Sequence, residues 1–518
     1  MASISSTKGY DGFWINTNAG NWQQLLLQPR NPGFSPGGLS LSSALPPFME
    51  APATFNPPFD ETQFAFANYN VGTTKPNLRT PYVQSWNLGV QRELAHNTVL
   101  EARYVGNKTT HNWHLYSEQE TNIFENGFLQ EFINAQKNYA INMAAGVSSF
   151  QNMGLPGQVA LPIFQAAFGA LGSQPALAAS SGFTNGTFIT DLKEGAAGAA
   201  ATSLTGSTSS IYYCRLVGSK FNPCGALGFN APGNYPINFF QPNPYVGDLT
   251  VTDYNSWSTY NALQVTLRKS YSYGLTLNAN YTWSHNLSDT FAVSNNLTDY
   301  YTTLRDRNLN KAPAPFDIRQ TFRVYWTYEL PVGKGKMLDV SNGALDRLVG
   351  GWSLSGITQW NSGTPYELTG GYSTFTGWPD ATSDSGVVLT GIGLSQLQNQ
   401  LRQFSPGPSQ DLYSAAPSLI GADGRANPAY LSPASTPGVL GQFLYIYGPH
   451  LITTDMALRK DARIRERLRF NFQAEFLNVF NHPVFAAGTG SIQSTSFGQT
   501  STTQVAPRSI QLRAFLSW

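Results

Sequence analysis

Charge is scarce in this chain. Of 518 residues only 12% are Asp, Glu, Lys or Arg, and 31 basic against 30 acidic residues leave a formal net charge of +1. That near-neutral balance offers no basic footprint for nucleic acid. Long apolar runs are missing too: mean hydropathy is −0.23, and no stretch of about eighteen apolar residues could form a transmembrane helix. A β-barrel is untouched by this absence, because only alternate residues of its strands meet lipid. The opening MASISSTKGYDGFWINTNAGNW has neither the basic start nor the apolar core of a secretory leader. The expectation is therefore a cytosolic chain or one whose true beginning lies upstream. Cysteine is confined to Cys214 and Cys224, which are expected to close a small disulfide loop in an oxidising compartment, the alternative being two unrelated thiols. No neighbouring His or Cys completes a zinc set. H-E-x-x-H, G-x-S-x-G and Walker signatures are absent, so no catalytic residue, metal or cofactor is expected. His111 and His114 flank Trp113 without a third ligand, and Asp380 and Asp384 lack the register of a calcium loop.

What the chain does have is aromatics (13%), 48 Gly and 32 Pro, a profile of strands and turns. The C-terminal RSIQLRAFLSW alternates Ile510, Leu512, Ala514, Leu516 and Trp518 with Gln511, Arg513, Phe515 and Ser517. Upstream, RERLRFNFQAEF sets Leu468, Phe470, Phe472, Ala474 and Phe476 against Arg467, Arg469, Asn471, Gln473 and Glu475. Strands of about ten residues are long for a soluble sheet but fit a tilted crossing of a bilayer. Hairpins read the same way at 82–105 and 259–285, and single strands near 318–328 and 352–360. The polar phase, with Arg268, Arg319, Arg323, Arg467, Arg469, Glu475 and Arg513, would face a lumen; a solvated face of a soluble sheet is the alternative.

Connections alternate in length. Short ones fall near 95–97, 271–274, 331–351 and 461–465, and long ones at 107–257, 286–316, 363–450 and 480–506. Outer-membrane barrels have short periplasmic turns and long extracellular loops, and a soluble sandwich has no such one-sided rule. The expected fold is all-β, an antiparallel transmembrane outer-membrane β-barrel of which about 9–10 strands are present. Residues 1–80 form a loop-rich N-terminal segment and 81–518 the barrel. Large loops span 107–257, with a helix around 120–144, and 363–450. An odd strand count calls for a partner strand upstream of residue 83, either within 1–80 or outside the chain. Trp113, Tyr116, Tyr254, Trp257, Tyr301, Trp378, Tyr445 and Tyr447 are candidate ligand contacts in the loops, the alternative being that they pack the loops together.

Several segments resemble the C-terminal barrel of Oar-like TonB-dependent receptors of acidobacterial type: SWNLGVQRELAHNTVLEARYVGNKTTH, YNALQVTLRKSYSYGLTLNANYTWSH, FDIRQTFRVYWTYELPVGKGK, GGWSLSGITQWNSGTPYEL and RERLRFNFQAEFLNVFNHPVF. The resemblance takes in most of the chain, including NIFENGFLQEFINAQKN and the opening DGFWINTNAGNW. It implies a receptor in the cell outer membrane that imports a bulky nutrient, an oligosaccharide or peptide, with TonB engaged only through a plug that this chain lacks. It also implies that Leu512, Ala514, Leu516 and Trp518 form the terminal signal read by the outer-membrane assembly machinery, with outer-membrane lipid around the barrel. A surface-exposed structural or adhesive protein, a truncated receptor fragment and a passive porin remain the alternatives.

Overall fold

The computed structural model describes residues 2–6, 69–169, 182–205, 210–225, 227–290, 301–376, 384–406, 412–464 and 468–518. Trp378, Asp380 and Arg467 lie outside the described residues. Long strands follow one another as β1 (Tyr82–Ala95), β2 (Thr98–Ser117), β3 (Asp248–Ser272), β4 (Leu275–Ser288) and β5 (Gln320–Glu329). They continue as β6 (Trp352–Asn361), β7 (Leu451–Arg463), β8 (Arg469–Leu477) and β9 (Ser509–Ser517). Each pairs antiparallel with the next, so the sheet is an up-and-down meander. Among the described residues β1 pairs only with β2 and β9 only with β8, which leaves the barrel open at those two edges.

Register explains why the alternation matters. Val90, Ala102, Val265, Tyr281, Phe322, Trp360 and Ile452 stand side by side in one cross-strand row. The next row is Gln91, Glu101, Thr266, Asn280, Arg323, Gln359 and Thr453. A slip of one residue in any strand would break both rows, so the period of two fixes an apolar face and a polar face at once. On the polar face Thr266 donates to Asn280 at 3.0 Å. Turn chemistry sets the register of β3 and β4: Tyr273 and Gly274 have φ of 51° and 80°, the left-handed pair of a tight hairpin.

The short connections gather at one end of the sheet and the long ones at the other. β2 and β3 run to 20 and 25 residues, well past the roughly ten that cross a bilayer. Their surplus lies on the long-loop side, so the connection that the sequence places at 107–257 begins only after Ser117 and ends before Asp248. The strand Tyr69–Thr74 pairs in parallel with that outer part of β3, and with Ala2–Ser6 on its other side. Among the described residues no upstream strand pairs with β1; the outer end of β3 is open on the side where β4 has stopped, and Tyr69–Thr74 docks there.

The β2–β3 connection is a folded unit rather than a loop with one helix. It carries α1 (Phe128–Ala144), α2 (Pro162–Phe168), α3 (Gly186–Glu194), α4 (Ala197–Thr205) and α5 (Ser210–Val217). Phe128, Phe132, Phe150, Phe164, Phe168, Phe183, Phe188 and Phe240 share its core. Glu131 of α1 caps α2, its two carboxylate oxygens accepting from Ile163 N at 2.9 Å and Phe164 N at 2.8 Å. Cys214 and Cys224 form a disulfide with Cα atoms 5.4 Å apart. Removing it by Cys214→Ser and Cys224→Ser is expected to cost this unit about 2–4 kcal/mol, read as a lower denaturation midpoint of the loop with the sheet unchanged. A second core, including Leu368, Val387, Leu397, Leu419, Ile446 and Phe497, lies in the β6–β7 connection and draws in the β8–β9 loop. The strand Gln499–Thr500 pairs with Leu412–Tyr413 and ties those two loops together.

Candidate functional site

Where β2 and β3 outrun the length of a bilayer crossing, neighbouring segments pack over them, and polar side chains become buried. Asp253 of β3 is fully buried. It accepts from Lys75 Nζ at 2.5 Å and Asn255 Nδ2 at 2.7 Å, with Arg307 at 3.8 Å. Burying that carboxylate without cations would be costly, so Lys75 and Arg307 hold the segments before β1 and after β4 against β3. Their charged groups lie over aromatic rings: the Arg307 guanidinium stands 4.7 Å from the Tyr116 centroid and 5.0 Å from Tyr301, and Lys75 Nζ 5.7 Å from Tyr116. His114 packs edge-on to Tyr301 at 4.5 Å.

Other carboxylates do the same for other loops. Asp317 lies 2.9 Å from His285 Nδ1 and accepts from Tyr447 Oη at 2.6 Å and Asn286 N at 2.8 Å. Burial and this carboxylate raise the Tyr447 phenol above its ordinary value. Glu120 accepts from Thr303 Oγ1 and Leu304 N, both at 2.6 Å, while Arg305 pairs with Glu125. Asp384 accepts from the amides of Gly370, Gly371 and Gly386, which makes it a loop staple.

The sequence candidates divide accordingly. Tyr116 and Tyr301 are 2% and 3% exposed and pack with Val251, so they do not present themselves to an outside ligand. The reason is that the segments carrying Lys75 and Arg307 pack over this part of the strands. Tyr447 is held by Asp317, and Tyr445 lies opposite Glu367 in a two-stranded ribbon. Trp257 is half-buried with Lys311 5.9 Å from its ring. Trp113 and Tyr254 come together at the rim. Trp113 is exposed and donates from Nε1 to the Arg79 carbonyl at 2.9 Å. The Arg79 guanidinium lies 5.4 Å from the Tyr254 ring, which meets His111 at 5.6 Å. His111 sits at a bulge with φ 59°, where the β2–β3 register shifts, and this aims its ring at Tyr254 and Tyr82. Sequence reasoning missed Arg79, Asp253 and Arg307, since single charges in long loops carry no spacing signal; His114 is buried. Among the described residues no three His, Cys, Asp or Glu side chains could hold a metal.

A protein-family model described as an outer membrane beta barrel domain matches residues 8–511. No curated protein matches the sequence. Among solved structures, the outer membrane transporter YddB from Escherichia coli is similar at 8% identity and a TM-score of 0.35, covering 86% of this chain and 34% of its own. The pyoverdine outer membrane receptor FpvA from Pseudomonas aeruginosa PAO1, bound to pyoverdine, is similar at 9% identity and a TM-score of 0.30, covering 88% and 32%. The chain spans about a third of the length of these two structures.

Proposed function

Since the chain belongs to the outer membrane beta barrel domain family, and so has its place in the outer membrane, we propose that it is the C-terminal part of an Oar-like TonB-dependent receptor importing an oligosaccharide or peptide. The observation that carries this reading is the direction of the two free edges. β1 and β9 both run from the long-loop end to the short-loop end. An antiparallel barrel closes between two such edges only through an odd number of further strands. Among the described residues no such strand joins the two edges. Capture takes place at the rim of Trp113, Tyr254, His111 and Arg79, where flat rings and a guanidinium offer stacking and hydrogen bonds to a sugar or peptide.

The test is uptake of fluorescent oligosaccharides and peptides by cells with and without the gene, repeated with a protonophore. Loss of uptake in both conditions supports energised import. Unchanged uptake with lost surface binding would move the chain to the adhesive reading. Trp113→Ala and Tyr254→Ala are each expected to weaken binding about tenfold, as truncated aromatic anchors do, measured on whole cells. Trp518 is 91% exposed at the end of the β9 edge. Trp518→Gln and Leu512→Gln are expected to lower the amount of protein assembled into the outer membrane several-fold, followed by membrane fractionation; normal yield would remove these residues from the assembly signal.

A further inference from the structure

The β5–β6 turn, residues 330–351, is folded outward, against the lipid-facing side of the sheet. Its helix α6 (Gly343–Val349) starts at Asn342, whose side chain accepts from Ala344 N and Leu345 N at 2.9 and 3.1 Å. At its other end Trp352 Nε1 donates to Leu348 O at 3.1 Å, and Lys460 Nζ donates to Leu348 O at 3.2 Å and also to Gly350 O. Trp352 and Lys460 are register partners, and their row continues through Phe472 to Ala514. That row belongs to the apolar, lipid-facing phase. Lys460 is the charged member of this phase in β7, yet it is only 6% exposed, because the end of α6 and the Trp352 ring cover it. Gly351, at φ 66°, passes so close to the Asp461 carbonyl that any Cβ would collide with it. The helix is thus fastened to the outside of the barrel.

Apolar side chains of this turn are bare. Met337 is 83% exposed and Leu348 73%, with Leu338 and Leu345 beside them in the turn, and Lys334 and Arg347 are exposed on the same connection. We propose that this turn is an interfacial foot: Met337, Leu338, Leu345 and Leu348 enter the periplasmic leaflet of the outer membrane, and Lys334 and Arg347 reach its phospholipid phosphates. The occupant follows from continuity, since the patch extends the lipid-facing row at the level where a strand leaves the bilayer, and basic side chains snorkel there.

The native cysteines are paired, so one introduced thiol can be labelled. Nitroxides at Leu345→Cys, Leu348→Cys and, as a polar reference, Asp339→Cys are placed in the full chain in outer-membrane vesicles. Collision with oxygen and with a water-soluble nickel chelate is then measured. The expected result is an oxygen-to-nickel ratio several-fold higher at 345 and 348 than at 339. Equal ratios would mean that the foot hangs in water, and shielding from both reagents would mean a protein partner; either overturns the proposal. Leu345→Ala with Leu348→Ala controls for the fold and should leave the label at 339 unchanged.

Discussion

Phe164→Ala is expected to unfold the helical unit between β2 and β3 while the sheet stays intact. Phe164 is 1% exposed, with ring centroids 5.4 Å from Phe128, 5.1 Å from Phe150 and 5.6 Å from Phe168. Truncating such a ring costs about 3–5 kcal/mol, because the transfer energy is lost and a cavity is left behind. A domain of this size has only about 5–15 kcal/mol in total. The position also affects a cap, since Glu131 accepts from the Phe164 amide and that contact needs α2 held against α1. Protease treatment of outer-membrane vesicles should cut within 118–247 far faster than in the wild type, with the strand fragments still protected. Wild-type resistance in the variant would show that the phenylalanine cluster does not hold the unit together.

The second large effect is on pH. Burial raises the Glu131 carboxyl from 4.5 to about 7, outweighing the two amides that favour its charged form. Burial, with Glu194 nearby, raises Asp191 from 3.8 to about 7. In the unfolded chain both ionise near their ordinary values, so between about pH 4 and 7 the folded unit holds protons that the unfolded chain has released. Stability is therefore fully present below that window and is lost progressively as pH rises across it, levelling off above about 7, by on the order of 3 kcal/mol for each group. Hydrogen exchange of α1–α3 should quicken from pH 5 to 8. Glu131→Gln together with Asp191→Asn should flatten the dependence, and an unchanged slope in that double variant would rule out these two groups as its source.

The strands were legible because their signal is local and repeated. Leu263, Val265 and Leu267 against Gln264, Thr266 and Arg268 give the face of β3 without knowledge of any other strand, and the lengths of the connections give the two ends. The Phe-rich unit was not legible in the same way. Phe150, Phe183 and Phe240 lie in separate segments, and the helices between them are short and rich in Ala and Gly, so only α1 announces itself by spacing. The rim was half legible. Trp113 and Tyr254 are readable as loop aromatics available for contact, whereas Tyr116 and Tyr301 look identical to them in sequence. What separates the pairs is whether a third segment packs over the strand, and period-two reasoning has no access to that.

β3, at 25 residues, measures about 80 Å along its path, and about ten of its residues suffice to cross the hydrocarbon. The rest acts as a mast. It carries the helical unit and the rim tens of ångströms from the headgroups. The folded loops and the membrane crossing are thereby separated in space. A change at the top of the mast can therefore alter the rim without altering the strands within the membrane.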